Sequence, residues 1–210
     1  MKDSREYSKK VQKLYRAFRG KAAKAAPVEV EEPVDALVYA VVSENITDAQ
    51  AQSSINRLKN YFVDWNDLRV ASIDEITEVL GPDIAPARNI ATTMVNILKS
   101  VFEKYNMLSL QSLQKLGKRP AKQVLEKLNG ATPFIVDYCM LTSLKGHAIP
   151  LTPKTIEYLK TSGLAHTGAT YEEIEGFLAR QIPMKNAYEF YSALRHESES
   201  PKKQKTRKRK

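Results

Sequence analysis

The residues with the clearest chemical potential lie in a short turn, "LNGATP", at positions 128–133. Asn129 and Gly130 can adopt the positive φ angle that ends a helix, and Thr132 followed by Pro133 suits the start of the next one. A helix that begins in this way directs unpaired backbone N–H groups outward, where an anion is stabilised. The turn therefore indicates an anion-binding helix start, and the alternative is a plain connection between two helices.

Positive charge is concentrated at the two ends of the chain. The 210 residues have a net charge of +9, while residues 1–24 carry +7 and the tail 201–210, "PKKQKTRKRK", carries another +7. The part in between is therefore mildly acidic. We expect the tail to be disordered, because it has no apolar residues to bury. We interpret it as a sequence-independent clamp on nucleic acid phosphates, and the alternative is a solubilising tail.

Composition excludes several classes of protein. A hydrophobic content of 42% is enough for one large domain or two smaller lobes. Cys139 is the single cysteine, which excludes a disulfide framework and a cysteine-rich metal or iron–sulfur site. No stretch approaches 18 apolar residues, and the first residues lack the apolar segment of a signal peptide. We therefore expect a soluble intracellular protein with no cofactor, metal cluster or membrane contact.

Nearly every segment has apolar residues at helical spacing, and alternating β patterns are almost lacking. This predicts an all-α fold of about nine or ten helices, with the apolar helix begun by Pro33 at its centre. The expected organisation is a basic N-terminal segment 1–24 whose helix 4–20 packs on the body, a linker 25–32, a helical body 33–197 and a disordered tail 198–210.

Three stretches, in this order, resemble the helix-hairpin-helix DNA glycosylase superfamily, which includes endonuclease III. They are "VVSENITDAQA" (41–51), "EVLGPDIAPARNIATTMVNIL" (78–98) and "LEKLNGATPFIVDYCMLTSLKGHAIPLTPKTIEYLKTSGL" (125–164). The resemblance covers roughly residues 8–195, and the order and spacing are more specific than any one stretch. It implies a two-lobed all-α fold that binds double-stranded DNA between its lobes.

The resemblance assigns phosphate contacts, made without reading base sequence, to the four turn residues Asn129, Gly130, Ala131 and Thr132. In the family a second glycine usually stands where Thr132 is. Asn45 matches the position of a polar side chain that fills the gap left by an everted base, although it could simply end a helix. Pro82 or Ile84, in the loop 81–86, is the candidate wedge into the duplex, and a buried position is the alternative for Ile84.

The catalytic positions of the family do not carry catalytic residues in this sequence. A lysine that attacks the sugar is expected four residues after the first hairpin glycine, where this chain has Phe134. The essential carboxylate falls on Thr152, which can cap a helix but has no negative charge. We therefore expect that base-excision chemistry is lost and that Phe134 closes the pocket. Stacking of Phe134 on a nucleobase is the alternative.

Three hypotheses for function follow. The first is a duplex DNA-binding protein of this family, acting at the nucleoid or in the nucleus, without base-excision chemistry. The second is an active glycosylase or abasic-site lyase with relocated catalytic groups, for which Asp137 and Lys154 are the candidates and His147 a further one. Each of these three residues has a surface or capping role as its alternative. The third is a helical protein-interaction scaffold with an RNA-binding tail.

Overall fold

The computed structural model describes residues 4–21 and 32–200, and within these ranges the chain forms helices and no strands. Most of the expected linker 25–32 and of the expected tail 198–210 lies outside the described residues. No helix in the described ranges is long and apolar enough to cross a lipid bilayer.

The described ranges contain eleven α-helices. These are α1 (Ser4–Lys21), α2 (Pro33–Ser43), α3 (Asp48–Tyr61), α4 (Trp65–Val70), α5 (Ile73–Leu80), α6 (Ala87–Tyr105), α7 (Lys118–Glu126), α8 (Pro133–Thr142), α9 (Pro153–Thr161), α10 (Tyr171–Gln181) and α11 (Ala187–Glu199). Two short 3₁₀ helices, Gln111–Lys115 and Met184–Asn186, lie before α7 and α11. The all-α prediction is confirmed. The segment 109–117, where a helix is expected from the spacing of its leucines, contains only the 3₁₀ helix Gln111–Lys115, and α4 was not predicted.

Local sequence explains where α8 and α9 begin. Thr132 accepts a hydrogen bond from the Ile135 amide at 3.2 Å, and Thr152 accepts one from the Thr155 amide at 3.2 Å. A proline follows each threonine, at the helical position where the missing N–H has no intrahelical partner in any case. The predicted N-caps of both helices are confirmed.

The first lobe is built around α2. Its apolar residues are buried on nearly all sides, as expected for a helix at the centre of a core, and α3, α5, α6 and α8 pack against it directly or through one another. Burial of each large aliphatic side chain stabilises the fold by about 1.5–3 kcal/mol. This core extends through α8 to Ala148 and holds the turn between α7 and α8 at its edge.

The second lobe has its own core, formed by α1, α9, α10 and α11. Val11 and Phe18 of α1 are buried in it, and Phe18 packs against Phe190 of α11 with ring centroids 5.7 Å apart. The Gln12 side chain donates to the Gln181 carbonyl at 2.9 Å. The basic N-terminal helix is therefore an integral part of this lobe. The two separate cores are the physical basis of the two-lobed fold.

Candidate nucleic-acid interface

The turn between α7 and α8 exposes its backbone. Asn129 and Gly130 are exposed, and Ala131 and Thr132 are half-buried. Gly130 has a φ angle of +92°, a conformation that side-chain-bearing residues rarely adopt. A Cβ atom there would lie 3.4 Å from Thr93 Cγ2, which is ordinary contact, so glycine is favoured by conformation and not by lack of space.

Two of the four turn amides expected to bind phosphate are already engaged. The Asn129 amide donates to Ser100 Oγ at 3.2 Å, and the Ala131 amide donates to the Leu128 carbonyl at 3.0 Å. The amides of Gly130 and Thr132 have no hydrogen-bond acceptor within residues 4–21 and 32–200. The candidate anion site therefore consists of these two N–H groups, and phosphate contacts by Asn129 and Ala131 stay a prediction.

The segment 111–132, which includes α7 and the turn before α8 and is called the hairpin below, is basic in an otherwise acidic lobe. Residues 111–132 contain five Lys/Arg against one Glu, whereas residues 33–110 contain six against ten Asp/Glu. The cations of this segment that are exposed are Lys115, Lys118, Arg119 and Lys127. The sequence interpretation, which counted charge only at the chain ends, missed this feature. A charge count over a short window would have found it.

Glu44 was also missed as a residue of this region. It forms the C-cap of α2, and its carboxylate lies near the Thr132 side chain at the start of α8. Burial raises the pKa of Glu44, and the hydrogen bond from Thr132 opposes that rise. A titratable carboxylate thus lies near the start of α8. No local sequence signal could place residue 44 beside residue 132.

The loops expected to meet the duplex differ in exposure. Asn45 is exposed in the loop between α2 and α3, and Pro82 is exposed in the loop after α5. Ile84 is only 2% exposed and belongs to the first core, so the interpretation of Ile84 as a wedge is corrected. The same loop is held by Asp83, which accepts from both terminal nitrogens of Arg57 at 2.9 and 3.3 Å.

The two family-equivalent catalytic positions are buried. Phe134 is 1% exposed and packs on Tyr138, with ring centroids 6.1 Å apart, while Tyr138 stacks on Tyr39 at 5.3 Å. Thr152 is 3% exposed, and its hydroxyl lies 2.9 Å from the Thr155 hydroxyl. Neither side chain is accessible from solvent, and neither position has an ionisable group.

The proposed substitute groups are not brought together. Asp137 has a side chain 4% exposed and accepts hydrogen bonds from Lys122 Nζ and the Tyr171 hydroxyl, both at 3.0 Å. Burial raises the pKa of Asp137, and these two donors oppose that rise. It lines a cleft of about 300 Å³ to which Lys154 does not contribute. Lys154 is exposed on α9, and His147 Nε2 lies 2.9 Å from the Ile182 carbonyl. Asp137 is therefore paired with Lys122, and catalytic roles for Asp137, Lys154 or His147 stay a prediction.

Similarity to known proteins is weak in sequence. No family model matches the chain. Over 156 residues the chain is 26% identical to a candidate DNA glycosylase of Arabidopsis thaliana, a match that covers 74% of this chain and 53% of that protein. The chain thus spans about half the length of the curated relative it matches.

Solved structures give a fuller match. Endonuclease III in a non-covalent complex with DNA superposes with a TM-score of 0.71 and 17% identity, covering 96% of this chain and 91% of that one. The H. pylori 3-methyladenine DNA glycosylase bound to 1,N6-ethenoadenine superposes with a TM-score of 0.67 and 14% identity, covering 88% of this chain and 94% of that one. The chain has the helix-hairpin-helix DNA glycosylase fold. The resemblance expected from the sequence is confirmed at the level of the fold.

Proposed function

We propose that this protein binds double-stranded DNA through the phosphate backbone, at the turn between α7 and α8. The observation that carries the proposal is the pair of amides, of Gly130 and Thr132, that lack acceptors within the described ranges and lie at the edge of a basic hairpin. Backbone amides and flexible cations hold phosphates without distinguishing bases. The expected binding is therefore insensitive to sequence. A DNA partner would place the protein at the nucleoid or in the nucleus.

We further propose that the protein lacks the excision chemistry implied by the family pattern. That chemistry needs a carboxylate and, for strand cleavage, an amine at the sugar. Phe134 and Thr152 stand where the family pattern has these groups, and both are buried within protein contacts. Asp137 is neutralised by Lys122, so it is a poor replacement.

One observation favours an active glycosylase as a second candidate function. Glu44 lies near the Thr132 side chain and next to Asn45 in sequence, and burial raises its pKa, as is common for acids and bases in catalysis. Under this alternative Glu44 supplies the carboxylate. Base release from damaged duplexes that Glu44→Gln abolishes, with Glu78→Gln as an exposed control, would establish the alternative.

The binding proposal is tested by titrating a fluorescent random-sequence duplex at several salt concentrations. Replacing Lys118 and Arg119 together by glutamine should weaken binding and lower the slope of log affinity against log salt by about 1 for each phosphate that is no longer neutralised. The matched control replaces Lys59 and Lys104, exposed lysines outside the hairpin, and should change little. Equal reductions of affinity in both variants would refute a site at the hairpin. Binding that depends wholly on residues 201–210 would favour the scaffold with a nucleic-acid-binding tail.

A further inference from the structure

Arg195 of α11 reaches from the second lobe into the first. Its side chain is only 3% exposed, and its Nη2 donates to two carbonyls, those of Ser43 at 2.8 Å and Ile46 at 3.1 Å. These carbonyls bracket residues 44 and 45 in the loop between α2 and α3. A single guanidinium nitrogen therefore ties the two ends of the segment that carries Asn45.

The other guanidinium nitrogens fix Arg195 itself. Nη1 donates to the Tyr191 hydroxyl at 2.9 Å, and Nε donates to Glu199 Oε1 at 2.8 Å. Burial opposes the charge, yet Tyr191 and Glu199 raise the pKa of Arg195 above its ordinary value. The second oxygen of Glu199 accepts from the Asp48 amide at 2.9 Å, so the start of α3 is tied to the same group. The Arg195 guanidinium is therefore a buried charge whose position is fixed by hydrogen bonds from all three of its nitrogens.

The loop is anchored on both sides of an exposed side chain. Ile46 is buried, and Thr47 forms a capping box with Gln50 at the start of α3. Asn45 alone among these residues is exposed. A polar side chain on a short loop is placed accurately only when the supporting backbone contacts are fixed.

We propose that Arg195 is a positioning residue that holds Asn45 in place to fill the space left by a missing or everted base. The proposal rests on the DNA-binding function proposed above. The planar fork of arginine satisfies both carbonyls, Tyr191 and Glu199 at once, whereas the single ammonium of lysine cannot match that geometry. The contribution of Arg195 should therefore appear as a preference for DNA with an abasic site over intact DNA, and not as a change of affinity for both.

The test compares two duplexes of one sequence, intact and with a single abasic site, by fluorescence anisotropy. The dissociation constant for the intact duplex divided by that for the abasic duplex measures the preference for DNA that lacks a base, which is called the gap preference below. Asn45→Ala should lower this ratio roughly two- to tenfold, the range expected for loss of one hydrogen bond. Arg195→Lys should lower it similarly, and the double variant should show no further decrease, because both changes remove the same interaction. The exposed Arg180→Lys is the matched control.

A spectroscopic measurement separates positioning from general structure. With 2-aminopurine opposite the abasic site, the wild-type protein should change its fluorescence, and both Asn45→Ala and Arg195→Lys should diminish that change. If Arg195→Lys does not fold, Glu199→Gln takes its place. One carboxylate oxygen of Glu199 accepts from Arg195 and the other from the Asp48 amide, and glutamine keeps only one acceptor oxygen. It should reduce gap preference in the same direction.

Three outcomes would overturn the inference. Equal loss of affinity for both duplexes in Arg195→Lys would make Arg195 merely structural. Additive effects in the double variant would mean that Arg195 does not act through Asn45. Wild-type binding to DNA without any gap preference would remove the role of Asn45 while leaving the binding function intact. Absence of wild-type binding to either duplex would refute the binding function itself.

Discussion

Gly130→Asp is the sharpest test of the hairpin, provided that its effects on folding and on charge are separated. A side chain at a φ angle of +92° costs about 1–2 kcal/mol of stability. For a protein of this size, that corresponds to a melting temperature lower by about 2–8 °C. The expected Cβ contacts with Thr93, at 3.4 and 3.6 Å, add little. Gly130→Asn is the matched control, because asparagine has nearly the same shape but no charge.

The difference between the two variants isolates the electrostatic effect. A carboxylate about 4 Å from a phosphate in a water-exposed setting is repelled by about 1 kcal/mol. Gly130→Asp should therefore bind a duplex about fivefold more weakly than Gly130→Asn at low salt. The gap between them should narrow as salt is added. Anisotropy titrations of both proteins, checked for folding by circular dichroism, give the measurement. Identical affinities for folded Asp and Asn variants would remove the hairpin from the binding site.

Three further predictions concern the packing and the charges. Phe134→Ala should lower the free energy of unfolding by about 3–5 kcal/mol, measured by urea denaturation, because it empties space in the aromatic cluster; a decrease below about 1 kcal/mol would contradict that packing. Lys122→Met leaves Asp137 buried without its cation and should destabilise by about 1–3 kcal/mol, less than a fully buried pair since Lys122 is 43% exposed. The pKa of Asp137 is already raised by burial and should rise further, so the deficit in melting temperature should be small at pH 4 and grow as pH increases to 8; a pH-independent deficit would refute this. For Glu44, whose pKa burial also raises, wild-type affinity for duplex should increase as pH falls through that pKa, and Glu44→Gln should bind more tightly than wild type at pH 8 but equally at pH 4; parallel pH profiles in anisotropy titrations would show that Glu44 does not face the DNA.

Local features of the fold could be predicted from the sequence. The caps at Thr132 and Thr152 are a matter of residue type followed by proline, and the apolar spacing of α2 and α6 is sufficient to identify core helices. The short α4 was missed because six residues are too few to show apolar residues repeating at helical spacing. Its start does carry a signal: Asp64 accepts from the Asn66 and Asp67 amides, both at 2.8 Å.

The site was less predictable because its contacts join distant parts of the chain. The Asn129 amide is engaged by Ser100, and Glu44 lies on Thr132 only because α2, α6 and α8 pack together. In the sequence, Arg195 is simply one more charge near the end of a helix. Such contacts depend on how helices are placed relative to one another, which periodicity does not specify.

The packing of α1 against α10 and α11 has a consequence for how the protein is made. The first helix leaves the ribosome long before its partners, since the contact between Gln12 and Gln181 closes a separation of 169 residues. The helices of the first lobe can pack soon after they are made, while the apolar face of α1 has no partner until α10 and α11 have been synthesised. Removing α1 would therefore damage the lobe that α10 and α11 complete.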